Sequence, residues 1–126
     1  MDFSTNEWRT KVFYSLPTGW WMRFGDQLCD DIEHTVKKMI PGAQADFKIY
    51  DIKEENGSLR IYTNWVTENL QEIFDKYRDL SIHTCICCGR PAEFYAWQLA
   101  EPYCAQHAPK DAIELNDYIF KALKEV

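Results

Sequence analysis

The side chains best suited to chemistry are gathered in one stretch, His83 to His107, which reads HTCICCGRPAEFYAWQLAEPYCAQH and holds four of the five cysteines. Two residues separate Cys85 from Cys88, Gly89 follows at once, and Cys104 and His107 repeat the same spacing. Thiolates separated by two residues can turn both sulfurs toward one ion, and a glycine after the second eases the tight turn. Two such pairs give four soft or borderline ligands, the closed tetrahedral set that zinc prefers. The spacing therefore predicts one Zn2+ held by Cys85, Cys88, Cys104 and His107. Cys87 reads as a bystander, although Cys85-x-Cys87 leaves a pairing through Cys87 open. His83 stands nearby as a spare donor.

Four protein ligands point to a structural ion, since a catalytic zinc keeps one position open. The zinc deaminases place His-x-Glu ahead of Pro-Cys-x-x-Cys. This chain has no His-x-Glu, and Thr84 precedes its first knuckle. No glycine-rich phosphate loop and no Ser/His/Asp set is present either. Asp30-Asp31 and Glu54-Glu55 are charge pairs with no obvious partner for proton transfer, and they read as solvated faces. The expectation is a protein that is not an enzyme.

The elements that must position this site can be read from periodicity. Pro109 argues against a helix beginning at Cys104, because it would remove a hydrogen bond and clash with the preceding turn. A second turn is expected at 104–107, in a zinc ribbon-like module or a treble clef with a broken helix. A final helix is expected to start near Pro109 and bury Ala112, Leu115, Ile119, Ala122, Leu123 and Val126. Upstream, Thr18 is the expected cap of a helix with Trp21, Phe24, Leu28, Ile32, Val36 and Met39 on one face, stopped by Pro41-Gly42. Asn56-Gly57 predicts a two-residue type I′ hairpin turn. It sets Glu55 opposite Ser58, Ile52 opposite Ile61 and Tyr50 opposite Thr63, with Tyr50, Ile52, Leu59, Ile61 and Trp65 on the core side. A further helix follows, capped by Thr67 and burying Val66, Leu70, Ile73, Phe74, Tyr77 and Leu80. Lys11–Ser15 reads as a third strand.

These pieces predict an α+β fold: an antiparallel hairpin or small sheet packed by helices, a zinc module, and a C-terminal helix. Residues 1–82 form the expected α+β core and 83–108 the zinc module. Residues 109–126 are a helix packing on that core, all in one compact unit. The chain has 126 residues, 46% of them apolar, enough to bury a core.

Composition narrows the partners. Net charge is −6, and no third of the chain is net positive. Binding duplex nucleic acid usually takes a basic stripe that displaces phosphate counterions, so nucleic acid is disfavoured. No run is apolar enough to cross a bilayer, and the first twenty residues hold no apolar core of a secretory signal. With knuckle-spaced cysteines, that makes a reducing cytoplasmic setting the expectation. Cys29 reads as a small buried hydrophobe and His34 as a surface residue. Trp20 and Trp21 are the candidate partner-binding residues, because two adjacent helical residues cannot both point squarely inward and exposed Trp is enriched at hot spots. The alternative is that both pack partly against the hairpin or the N-terminal segment.

The order of three motifs resembles a group of small zinc-knuckle proteins encoded in phage and bacterial genomes. They are GWWMRFGDQLCDDIE (19–33), DIKEENGSLRIYTNW (51–65) and the terminal C-x2-C-G…C-x2-H, spanning about residues 19–107. The resemblance implies a zinc-binding phage or prophage accessory protein, and it carries over no catalytic residue and no known partner. The functional expectation is a zinc-stabilised protein-interaction module, a phage-encoded modulator or inhibitor of a host protein such as a defence component, working in the host cytoplasm. The alternatives are a nucleic-acid-binding zinc protein and a metal-dependent nuclease-like enzyme.

Overall fold

The computed structural model describes residues 3–97 and 99–124, with side chains as far as residue 119. It is an α+β fold built around two small antiparallel sheets. The first helix, α1 (Glu7–Ser15), occupies the segment expected as a third strand. Trp8, Val12 and Leu16 are all buried, whereas Tyr14, which the two-residue period of a strand would put on the same face as Val12, is 80% exposed. Phe13, also inside the expected strand Lys11–Ser15, faces outward at 47% exposure.

The next helical run has three parts: α2 (Thr18–Trp20), a π-helical turn (Trp21–Gly25) and α3 (Asp26–Lys37). Its buried line is Trp20, Phe24, Leu28, Ile32 and Val36, a spacing of four throughout. A π turn holds more residues than an α turn. The wider turn brings Trp20 rather than the expected Trp21 onto the buried line, and Trp21 is left half-buried. Pro17, not Thr18, takes the N-cap position, and no side chain caps this helix. Pro41 does not stop α3, which already ends at Lys37; it opens a short helix, α4 (Pro41–Asp46), at the first position where a missing N–H costs nothing.

Strands β1 (Ile49–Glu55) and β2 (Ser58–Thr63) form the hairpin about Asn56-Gly57. Both turn residues have positive φ, 53° and 86°, as a type I′ turn demands. The register runs Glu55 to Ser58 and Ile52 to Ile61 as expected, then shifts between Ile49 and Asp51. That irregularity pairs Ile49, not Tyr50, with Thr63. Ile49 enters the core in place of Tyr50, which is 67% exposed.

Helix α5 (Glu68–Ile82) starts at Thr67, whose hydroxyl accepts the Leu70 N–H at 3.2 Å. Leu70, Phe74 and Tyr77 are buried, while Val66, ahead of the helix, is exposed. The Ser81 hydroxyl accepts the outward N–H of Leu59 at 2.9 Å and ties α5 to β2. The Tyr77 hydroxyl donates to Asp31 and ties α5 to α3. Arg9 bonds both Asp30 and Glu33 at 2.8 Å and holds α1 against α3. One apolar core fills the space between these helices and the hairpin.

The second sheet has the order β4-β3-β5, with β3 (Phe94–Ala96), β4 (Glu101–Tyr103) and β5 (Ile113–Glu114). Helix α6 (Leu115–Lys124) lies against β3 and β5, where Tyr118 stacks on Tyr95 at 3.8 Å between ring centres. The final helix begins at Leu115 rather than near Pro109. Residues 109–112 close a turn, with the Ala112 N–H on the Pro109 carbonyl, and 113–114 are drawn into the sheet against Tyr95 and Phe94. Of the expected stripe, Leu115 is buried and Ile119 half-buried. Ala122 and Leu123 are described in backbone only, and Val126 lies outside the described residues.

Two substitutions separate a local cap from a core anchor. Thr67→Ala should cost about 1 kcal/mol by removing one N-cap, and Trp20→Ala roughly 3–5 kcal/mol by emptying a fully buried site. Urea denaturation followed by far-UV circular dichroism checks both, with the larger loss expected at Trp20.

Candidate metal centre

The first knuckle begins where α5 ends. The Thr84 hydroxyl donates to the Leu80 carbonyl at 2.6 Å, and Thr84 bridges Pro91 across the turn. Within it, the Cys85 N–H bonds the Arg90 carbonyl at 2.8 Å and the Gly89 N–H bonds the Cys85 carbonyl at 3.1 Å. Gly89 sits at φ 81°, in the left-handed region where a side chain is strained. At the second pair, the N–H groups of His107 and Ala108 both bond the Cys104 carbonyl, at 3.1 and 3.0 Å. This is a single turn that goes no further, as Pro109 requires. The Arg90 guanidinium reaches the Gln106 side-chain oxygen at 2.9 Å and links the two turns.

These turns bring together the Sγ atoms of Cys85, Cys88 and Cys104 and one ring nitrogen of His107, all within 4.8 Å of one another. Cys88 Sγ lies 3.7 Å from Cys104 Sγ. His107 Nδ1 lies 3.2 Å from Cys104 Sγ and 3.8 Å from Cys85 Sγ. A tetrahedral ion with metal–sulfur bonds of about 2.3 Å sets its sulfurs about 3.8 Å apart. The donor set and its spacing therefore fit a single metal ion. Cys85 and Cys104 are buried, Cys88 is half-buried and His107 is exposed. Around them lies a second, smaller apolar cluster with Ala96 and Tyr103.

The electrostatics favour an anionic sulfur at the centre. Burial opposes the Cys85 thiolate, but the backbone N–H groups of Cys104, Cys88 and Cys87 stabilise it and draw its pKa down to about 6. A sulfur held ready as thiolate is the form that binds metal.

No family model, curated protein or solved structure matches this chain.

The other sequence candidates fall elsewhere. Cys87 is exposed and outside the cluster. His83 is exposed too, its Nδ1 2.9 Å from the Asp79 carbonyl. Cys29 is buried, and that burial pushes its thiol pKa up to about 12. His34 is exposed on α3. Trp20 cannot bind a partner: it is fully buried, and its Nε1–H donates to the Thr84 carbonyl at 3.1 Å. The expectation that Trp20 belongs to a partner surface is thus corrected; it is the bolt between the helical run and the knuckle.

The spacing rules did not reveal how the knuckle is seated. The Gly19 N–H donates to the Ile86 carbonyl at 2.9 Å, and a Cβ on Gly19 would lie 2.2 Å from the Cys85 carbonyl oxygen. The backbones of Gly19 and Gly89 thus touch without any side chain between them. The signal was present in Gly19 and Gly89, but nothing in either local motif says that they meet.

Metal loading should be one equivalent per chain. It should be lost in Cys88→Ser and retained in Cys87→Ser, which elemental analysis of the purified variants can read. Occupancy should fall as pH drops, because protons compete for three thiolates and an imidazole. A Co2+ titration followed by its thiolate absorption tests that direction.

Proposed function

We propose that this chain is a zinc-stabilised protein-interaction module, of the kind a phage would use to modulate or inhibit a host protein in the host cytoplasm. The observation that carries the reading is the closed donor set of three thiols and one imidazole within 4.8 Å. Zinc is the ion that suits such a set best, and four protein ligands leave it no open position for substrate. The ion then acts on the fold: it would join two turns that otherwise share only a small apolar cluster and a few hydrogen bonds, such as that between Arg90 and Gln106. The phage assignment is supported by the motif order that resembles phage and bacterial zinc-knuckle proteins. The preference for a protein partner over nucleic acid is supported by the net charge of −6.

Removing the metal is the direct test. Chelation should raise amide exchange across residues 83–107 while the α1, α3 and hairpin core stays protected, and it should weaken binding of the captured host partner. Hydrogen exchange and a pull-down with and without chelator report the two effects. Unchanged exchange and binding in metal-free protein would count against the reading, as would divalent-metal-dependent cleavage of nucleic acid by the loaded chain.

A further inference from the structure

Away from the metal centre, three aromatic rings line an open cavity of about 370 Å³ between α1 and the π turn. Tyr14 meets Phe13 edge-on, with ring centres 5.1 Å apart, and Phe13 meets Trp21 edge-on at 5.3 Å and 89°. Tyr14 and Phe13 are exposed and Trp21 is half-buried. The three rings share the cavity lining with the polar side chains of Asn6, Arg9, Thr10 and Asp26. The geometry is built into the backbone: a Cβ on Gly25 would lie 2.2 Å from the Trp21 ring, so the indole lies across a helix position that has no side chain.

The charges at the rim give the sign of the ligand. Asp26 lines the cavity and has no ion pair or hydrogen-bond partner for its carboxylate among the described residues. Arg9 also lines it, but its guanidinium is engaged by Asp30 and Glu33. Glu33 is in turn shared with Lys37. Aromatic faces attract a cation through their negative quadrupole, and a free carboxylate beside them adds a point charge. We propose that Phe13, Tyr14, Trp21 and Asp26 form a docking site for an arginine side chain on a basic segment of a protein partner. A guanidinium is flat, weakly hydrated and able to stack on an indole while donating to a carboxylate. This deepens the interaction reading given above and rests on it.

The test uses the full-length, metal-loaded chain labelled with 15N and a capped oligoarginine peptide as probe. The Trp21 indole N–H resonance should shift saturably, and an oligoglutamate peptide of equal length should leave it still. Tyr14→Ala, at a site too exposed to threaten folding, should weaken binding at least tenfold, as should Trp21→Leu. Asp26→Asn should weaken it severalfold, while Asp75→Asn, the same charge change on α5, should not. Equal weakening by Asp26→Asn and Asp75→Asn would overturn the site, leaving only attraction to the net charge. A Trp21 shift that follows protein concentration without peptide would overturn it in favour of a second copy of the chain. Host protein captured equally by the Tyr14→Ala chain would overturn this face and keep the interaction reading. A chain that captures nothing in any form would count against both.

Discussion

The structure turns on one contact between backbones. Gly19 meets the knuckle at Ile86 and Gly89 with no side chain intervening, and beside it the Trp20 indole N–H reaches the Thr84 carbonyl. This is how a helical run near one end of the sequence and a metal-binding turn near the other become parts of one body. A second contact fixes the remaining freedom. The hairpin tip lies under the β3–β4 tip, where a Cβ on Gly57 would come within 2.8 Å of the Ala100 carbonyl, and the Tyr95 hydroxyl faces the Asn56 carbonyl. Two points of close backbone approach, at Gly19 and at Gly57, thus set how the small module sits on the helices and hairpin.

The π turn follows from the same demand. The helix must place Trp20 under the knuckle and also line Phe24, Leu28, Ile32 and Val36 along the core. A regular α-helix drifts away from a strict spacing of four, and one widened turn absorbs part of the drift. Gly25 then makes room for the indole of Trp21, the ring that lost the competition for the interior. The conformational irregularity and the exposed aromatic face are thus two results of one packing problem.

Much of this was legible in the sequence because the determining rules are local. The C-x2-C and C-x2-H spacing, the Asn56-Gly57 turn, the Thr67 cap and the veto of Pro109 each act within a few residues. The errors arose where a choice was settled by distant parts of the chain. Val12, Phe13 and Tyr14 look like a strand until Tyr14 is seen to be exposed while Val12 shares a buried face with Trp8 and Leu16. Tyr50 and Ile49 compete for one core site, and a shift of register decides between them. The start of the last helix moved to Leu115 because β3 still had an edge to fill. Trp20 and Trp21 could not be ranked by period alone, since the period itself changes at that point.

The bond from Trp20 to Thr84 spans 64 positions of sequence. During synthesis the chain emerges from its N-terminus, so α1, α3 and the hairpin are available well before the residues that seat the indole. Until Thr84 to Gly89 arrive, the top of the helix offers a large apolar ring and an unfilled glycine notch. The knuckle therefore completes the N-terminal part as well as adding to it. The nascent protein is most vulnerable to wrong contacts in the interval between finishing the hairpin and closing that notch.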